Sequence, residues 1–304
     1  FILLKENDRV TVLSRKINNN ESSHRLVRVK MKFSKYHALG NDYIVIDPKD
    51  LNNELSDKDI QTICSRHYGV GSDGILYGPE PSDRCDFSLR IFNPDASEAE
   101  KSGNGLRIFS RYLWDQSLVS TNEFSIQTKG GVVSSKVGNN GLSVSVGMGK
   151  VRFTHESFGE PKPVADIIKI KDRVFTYYLA NVGNPHCVIL LDNINDSLAK
   201  EYGSFIENDA RFTNRTNVQF VNVIDRTTIK IEIWERGAGY TLASGSSSTA
   251  AASIAYSLGL CDSNINVHMP GGIINIKLDS EFFATMTGAV CKICEGDFAS
   301  EALS

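Results

Sequence analysis

Two hydroxyl-bearing runs are the places in this chain where proton chemistry could occur. Ser102-Gly103-Asn104-Gly105 leads into Leu106-Arg107-Ile108-Phe109-Ser110-Arg111-Tyr112-Leu113, and Ser244-Gly245-Ser246-Ser247-Ser248 leads into an alanine-rich stretch that ends at Leu258. Each reads as a small polar turn opening a buried helix. A helix start presents free backbone N–H groups and the positive end of the helix dipole, so each would attract an anion. Two such starts facing one another would grip a carboxylate from both sides. They would also set Ser102 and Ser244 on opposite faces of the bound molecule. That geometry suits moving a proton off one face of a carbon and onto the other, although serine is a poor residue for the task.

Further polar side chains gather around both runs. The loop Asn93-Pro94-Asp95-Ala96-Ser97-Glu98-Ala99-Glu100-Lys101 crowds amides and carboxylates beside the first helix start. Any one of these residues is more simply a loop or capping residue; the cluster as a whole is the specific signal. Before the second run stand Glu235 and Arg236. On an extended strand they would point to opposite faces. At a strand end they can bend round one ligand, with Glu accepting from an ammonium and Arg clamping a carboxylate at two points. The alternative is a solvated surface pair. Gly40-Asn41-Asp42, Gly71-Ser72-Asp73-Gly74, Gly183-Asn184-Pro185-His186 and Asn214-Arg215-Thr216-Asn217 are each ordinary turn chemistry, and together they supply amide donors and acceptors. No P-loop and no dinucleotide fingerprint occurs. Cys291-Lys292-Ile293-Cys294 is a lone C-x-x-C without a second pair or histidines at ligand spacing, and its alternating surroundings read as a strand rather than a metal site.

Strand signals dominate the elements that must position these groups. β-Branched and aromatic residues mark Phe33 to Asp47, Phe87 to Phe92, Phe124 to Thr128, Val132 to Val137, Leu142 to Val146, Val174 to Leu179, Cys187 to Leu191, Val218 to Val223, Thr228 to Trp234 and Ile273 to Leu278. Gly138-Asn139-Asn140-Gly141 reads as a hairpin turn. Helices are expected over Asp57 to His67 after the cap Ser56, over Gly105 to Asp115, over Asn195 to Asn208 and over Thr249 to Leu258. The mixture predicts an α+β fold of mostly antiparallel sheet. The order of elements repeats: strands, a Ser-Gly turn, one apolar helix, more strands. Two pseudo-symmetric lobes follow, each a sheet wrapped around a central helix, spanning 31–147 and 148–286, with a C-terminal strand at about 287–298 rejoining the first. The site would then lie at the lobe interface.

Bulk properties narrow the function classes. The 304 residues, 41% hydrophobic and 23% charged, suit a globular protein of two ordinary domains. A net charge of −3 gives no electrostatic footprint for nucleic acid or an anionic membrane, and no apolar run approaches bilayer-spanning length. Six cysteines without disulfide-framework spacing make a reducing cytoplasm the expectation. Residues 1–30 are polar and poorly patterned and are read as an extension outside the fold. Glu6, Asp8 and Glu21 interrupt the acid-poor character of a transit peptide.

From Met31 to about Phe298 the chain resembles the diaminopimelate epimerase family, cofactor-independent amino-acid epimerases of lysine biosynthesis. The resemblance rests on His37-Ala38-Leu39-Gly40-Asn41-Asp42, Phe92 to Glu98, Gly103-Asn104-Gly105, Gly183-Asn184-Pro185-His186, Arg215-Thr216-Asn217 and Glu235-Arg236-Gly237-Ala238-Gly239. It implies that backbone N–H groups at Gly103, Asn104, Gly245 and Ser246 hold the reacting carboxylate and that Asn41 holds the reacting amino group. It implies that Asn93, Asn184, Asn217 and Arg236 read the far carboxylate, Glu235 the far ammonium, and that His186 tunes the acid–base pair. An amino-acid substrate, no cofactor, no metal and a homodimer are the corresponding expectations.

The departures from the family pattern fall on the chemistry. The family's two catalytic cysteines precede Gly103 and Gly245; this chain has Ser102 and Ser244 there. A thiol titrates near ~8.5 and a hydroxyl several units higher; losing about four units costs roughly 5 kcal/mol, or several thousandfold in rate. A helper base would offset the loss, and Asp95, Glu98, Glu100 and His186 are the candidates. Tyr240 stands where the family commonly has Glu. Three readings follow: an epimerase of diaminopimelate, weakened or silenced by its serines; a diverged isomerase of the same fold using a carboxylate or His on another amino acid; and a form that binds an amino acid without chemistry. The intact far-end set favours the first.

Overall fold

The computed structural model describes residues 31–138, 140–153, 162–299 and 301–303. The extension expected at 1–30 and Asn139 of the expected hairpin turn lie outside the described residues.

The first half runs β1 (Lys32–Ala38), β2 (Asn41–Ile46), α1 (Asp57–Cys64), β3 (Ile75–Glu80), β4 (Phe87–Phe92), β5 (Glu98–Ala99), α2 (Gly103–Asp115), β6 (Phe124–Thr128), β7 (Gly131–Val137) and β8 (Ser143–Lys150). The second half opens with β9 (Asp166–Ile170). It then repeats the first: β10 (Arg173–Asn181), β11 (Pro185–Leu190), α3 (Asp196–Glu207), β12 (Asn217–Asp225), β13 (Thr228–Glu235), β14 (Gly239–Thr241), α4 (Gly245–Ser257), β15 (Asn264–Met269), β16 (Gly272–Leu278) and β17 (Phe283–Ala289). A final strand, β18 (Cys291–Asp297), pairs antiparallel with β1.

The pairing repeats as well. β2 lies parallel to β3 as β11 lies parallel to β12. β6 lies parallel to β4 as β15 lies parallel to β13. The equivalent last strands, β8 and β17, pair with each other and join the two lobes into one mixed sheet. The fold is therefore α+β with two lobes of like topology. Among the described residues no helix is long and apolar enough to cross a membrane.

Each lobe folds around one buried helix. In α2 every residue from Asn104 to Ser110 is buried, and in α4 Ser247 to Ala255 are buried on all sides. α4 has no charged face and must be enclosed, and its small side chains let strands close around it. Both helices share one continuous core with Val146, Ile231, Ile274 and Met286. The strands show the alternation that half-buried sheet demands, as in β7, where Val133, Ser135 and Val137 point inward. α1 stops at Cys64 rather than His67, whereas α2 and α4 begin earlier than expected, at Gly103 and Gly245. That shift makes Ser102 and Ser244 the N-caps themselves.

β3, β5, β9, β14, β15 and β17 go beyond the strands expected from the sequence. β3 carries Gly78-Pro79, which reads as a turn; the β3–β4 register shifts between Tyr77 and Glu80, and the ladder accommodates the proline at that irregularity. β15 buries Ile265, Val267 and Met269 behind Asn264, Asn266 and His268, residue types that mask its alternation.

Candidate active site

The two helix starts meet. A Cβ placed on Gly245 would stand 3.8 Å from Gly103 Cα and 2.7 Å from Met286 Sδ, and one on Gly103 would stand 2.8 Å from Met286 Cε. Glycine opens both helices because the starts pack on each other and on this buried methionine. Ser102 Oγ caps α2 by accepting from Gly105 N–H at 3.0 Å, and Ser244 Oγ accepts from Ser247 N–H at 3.4 Å. With those bonds made at the third helical residue, the N–H groups of the first two residues of each helix remain as the anion-attracting pair.

In front of the starts lies a cleft of about 860 Å³. Ser102, Gly103 and Asn104 line it from one lobe, and Ser244, Gly245 and Ser246 from the other. Asn41, Asn93, Asn184, Glu235 and Arg236 complete the wall. All the expected site residues except His186 and Asn217 therefore face one space.

Behind the wall, hydrogen bonds fix the amides. Asn41 Nδ2 donates to Asp73 Oδ2 at 2.9 Å, and Asn41 Oδ1 accepts from Asn104 Nδ2 at 3.0 Å. Asn104 Oδ1 accepts in turn from Arg107 Nη2 at 2.6 Å. Arg107 is fully buried, and its Nε and Nη1 find no partner, so burial pulls its pKa down to about 10. A guanidinium held this way adds positive potential beneath the α2 start.

The cations that line the cleft are bonded to carbonyls rather than carboxylates. Arg236 Nη1 donates to Asn214 O at 3.0 Å, and Lys101 Nζ donates to Gly147 O and Met148 O at 3.4 and 3.3 Å. Burial lowers the Lys101 pKa. Glu235 is pushed the other way: burial raises its pKa, and a hydrogen bond from Ser244 offsets part of the rise. A carboxyl group so placed can exchange a proton with the Ser244 hydroxyl.

His186 lies behind the cleft wall rather than on it. It is fully buried, and its Nε2 is 2.8 Å from Asn184 Oδ1. Burial, helped by the nearby charge of Arg236, drives its pKa down to about 3 against the contribution of Gln219. The imidazole is neutral at ordinary pH, and its hydrogen bond holds the Asn184 side chain in place. Asn217 has a similar role: its Nδ2 donates to Pro185 O at 2.9 Å, and its Oδ1 accepts from Arg236 N–H at 3.0 Å. It ties the Asn184-Pro185 turn to the Arg236 backbone.

The expected helpers for Ser102 also lie elsewhere. Asp95 is exposed and bonded to Ser97, and Glu98 pairs with Arg90 at 3.8 Å. Glu100 lines the cleft but makes no hydrogen bond to Ser102. The partner of Ser102 is instead Tyr43, whose hydroxyl is 3.1 Å from Ser102 Oγ. The sequence reading missed Tyr43, although its spacing held the signal: on a strand Asn41 and Tyr43 share a face. It also missed Lys101, which a plain loop reading absorbs. Tyr240 points away, donating to Glu232 Oε2 at 2.7 Å. Cys291 and Cys294 are exposed free thiols on β18, and among the described residues no group of His, Cys, Asp and Glu is arranged to hold a metal ion.

Comparison with known proteins shows the family and the fold. A sequence profile described as Diaminopimelate epimerase matches residues 33–154 and 178–293. The chain is 56% identical over 275 residues to "Diaminopimelate epimerase 2" of Nostoc sp., covering 89% of this chain and 96% of that one. It is 33% identical over 282 residues to the diaminopimelate epimerase of Prochlorococcus marinus, covering 88% and 99%. Among solved structures, a hydroxyproline epimerase from Agrobacterium vitis superposes with a TM-score of 0.65 at 14% identity over 90% of this chain and 94% of the other. A methylitaconate-delta-isomerase superposes with a TM-score of 0.64 at 12% identity over 90% and 97%. At such identities the two structures share the fold alone.

Proposed function

The chain belongs to the diaminopimelate epimerase family, and from that membership we propose that it interconverts LL- and meso-diaminopimelate by two-base proton transfer at one α-carbon. One observation carries the reading: two serine-capped helix starts abut in a single cleft that Glu235 and Arg236 also line.

The substrate's reacting carboxylate sits against the first N–H groups of α2 and α4, where both dipoles favour negative charge. The charge that develops there when the α-proton leaves is stabilised by the same groups, with Arg107 beneath them. Ser102 and Ser244 address opposite faces of the α-carbon. Asn41 receives the reacting amino group. Arg236, with Asn93 and Asn184, takes the far carboxylate, and Glu235 the far ammonium. No step in this scheme calls for a cofactor. Hydroxyls in place of thiols set the rate below that of a thiol pair. A reducing compartment, the cytoplasm, suits the six unpaired cysteines.

Calorimetric titration with diaminopimelate and with lysine tests the substrate class, because lysine lacks the far carboxylate. Diaminopimelate is expected to bind at least ~30-fold more tightly, about 2 kcal/mol for a lost charge-assisted contact. Equal affinity would overturn the diacid reading. Chiral chromatography of the LL-isomer after incubation tests the reaction; binding without conversion would leave a binding protein.

A further inference from the structure

The Ser102 hydroxyl has a built partner that the family resemblance does not assign. Tyr43 lies on β2 with its ring buried and its hydroxyl in the cleft wall. Gly74 makes room for the ring, since a Cβ there would stand 2.7 Å from Tyr43 Cε1. Tyr43 Oη is 3.1 Å from Ser102 Oγ, and either oxygen can donate in that bond. The other bond to Ser102 Oγ comes from Gly105 N–H at 3.0 Å. Oγ thus has an amide that stabilises negative charge on one side and a phenol that can give or take a proton on the other. Burial raises this phenol to about 12, yet it remains a better acid than an alkyl hydroxyl and belongs to the groups that serve in general acid–base catalysis.

Resting on the proposed epimerase reading, we propose that Tyr43 is the proton-relay partner of Ser102, so that the two side chains together supply the acid–base group on the α2 side of the cleft. Burial pushes the Tyr43 phenol up to about 12, so Tyr43 rests neutral, and the phenolate that serves the direction removing the α-proton is the form left by a turnover in the opposite direction. The Cα–H bond breaks as a new O–H bond forms at Ser102 Oγ. The original hydroxyl proton of Ser102 passes to Tyr43 Oη, and the electron pair of the broken bond moves onto the α-carbon and its carboxylate. In the opposite direction neutral Tyr43 returns its proton to Ser102 as Ser102 protonates the α-carbon. No heavy atom has to move, because the hydrogen bond already links the two oxygens.

Tyr43→Phe removes one oxygen and keeps the ring against Gly74. The relay requires kcat for α-proton exchange to fall by at least ~100-fold, with KM within about threefold, since only the proton transfer is affected. In a Ser102→Cys background, where a thiol needs no relay, adding Tyr43→Phe is expected to change the rate by less than about threefold, and the activity of that double variant certifies its folding. A Tyr43→Phe enzyme within threefold of the parent chain overturns the relay. So does an equal loss in both backgrounds, or a loss confined to KM, because a structural role would produce either. A parent chain that binds diaminopimelate but exchanges no α-proton overturns the catalytic reading and the relay together, which separates that failure from one of the relay alone.

Discussion

Replacing Ser102 and Ser244 together by cysteine is expected to raise the rate of epimerisation by between about a hundredfold and several thousandfold. The upper end follows from acidity: a gap of about four pKa units between hydroxyl and thiol is roughly 5 kcal/mol in forming the base. The helix starts add to the advantage of a thiolate, because each Oγ position already accepts a first-turn N–H, from Gly105 at 3.0 Å and from Ser247 at 3.4 Å. An anion at that place gains about 0.3–1 kcal/mol more from the dipole. The lower end reflects the partners already present: Tyr43 beside Ser102 and the Glu235 carboxyl beside Ser244 recover part of the deficit. The assay is the initial rate of LL-to-meso conversion by chiral chromatography at saturating substrate, with binding measured on the same samples. Ser102→Cys alone is expected to gain less than the pair, because the opposite face still depends on a hydroxyl. A double variant that binds diaminopimelate as tightly as the parent yet converts it no faster would refute the assignment of the two caps as the acid–base pair.

Other perturbations separate the parts of the site. Arg236→Lys loses two-point recognition and is expected to raise the Kd for diaminopimelate by about 10- to 100-fold while leaving lysine binding nearly unchanged, read by titration calorimetry. Lys101→Met removes a cation that lines the cleft and bonds to backbone carbonyls; a KM increase of about tenfold with an unchanged fold by circular dichroism is expected if Lys101 meets a substrate carboxylate. Gly245→Ala puts a methyl 2.7 Å from Met286 Sδ, and overpacking there is expected to cost about 1–3 kcal/mol in urea denaturation, partly recovered by adding Met286→Ala. His186 has a folded pKa of about 3 against an ordinary value of 6.5. The unfolded chain therefore takes up a proton that the folded chain refuses, so stability is full above pH 6.5 and declines as pH falls from there toward 3. His186→Asn should flatten that part of the Tm-against-pH curve.

The α+β class and the lobe repeat were legible because the same order of strand, Ser-Gly turn and buried helix occurs twice. What escaped were elements whose residue types contradict their place. β15 alternates cleanly, but its outward residues are Asn and His, so no β-rich run stands out. β3 holds a Gly-Pro pair inside a strand. In the site, motif positions pointed to residues but not to their surroundings. Asn217 and His186 lie in the expected motifs, yet burial turns the first to backbone carbonyl and amide groups and keeps the second neutral behind Asn184. The partner of Ser102 was sought among charged residues nearby in sequence, whereas β2 delivers it from fifty-nine positions away. Only the tertiary contact reveals that pair.

The most direct test of proton transfer between two opposed serines is the fate of the α-hydrogen. LL-diaminopimelate is incubated with the parent chain in deuterium oxide, and both isomers are recovered at low conversion and weighed by mass spectrometry. Two bases on opposite faces place one deuterium in the meso product while the remaining LL-substrate keeps its hydrogen. Deuterium entering substrate and product together from the outset, or no deuterium in either while the ligand is bound, would contradict the account.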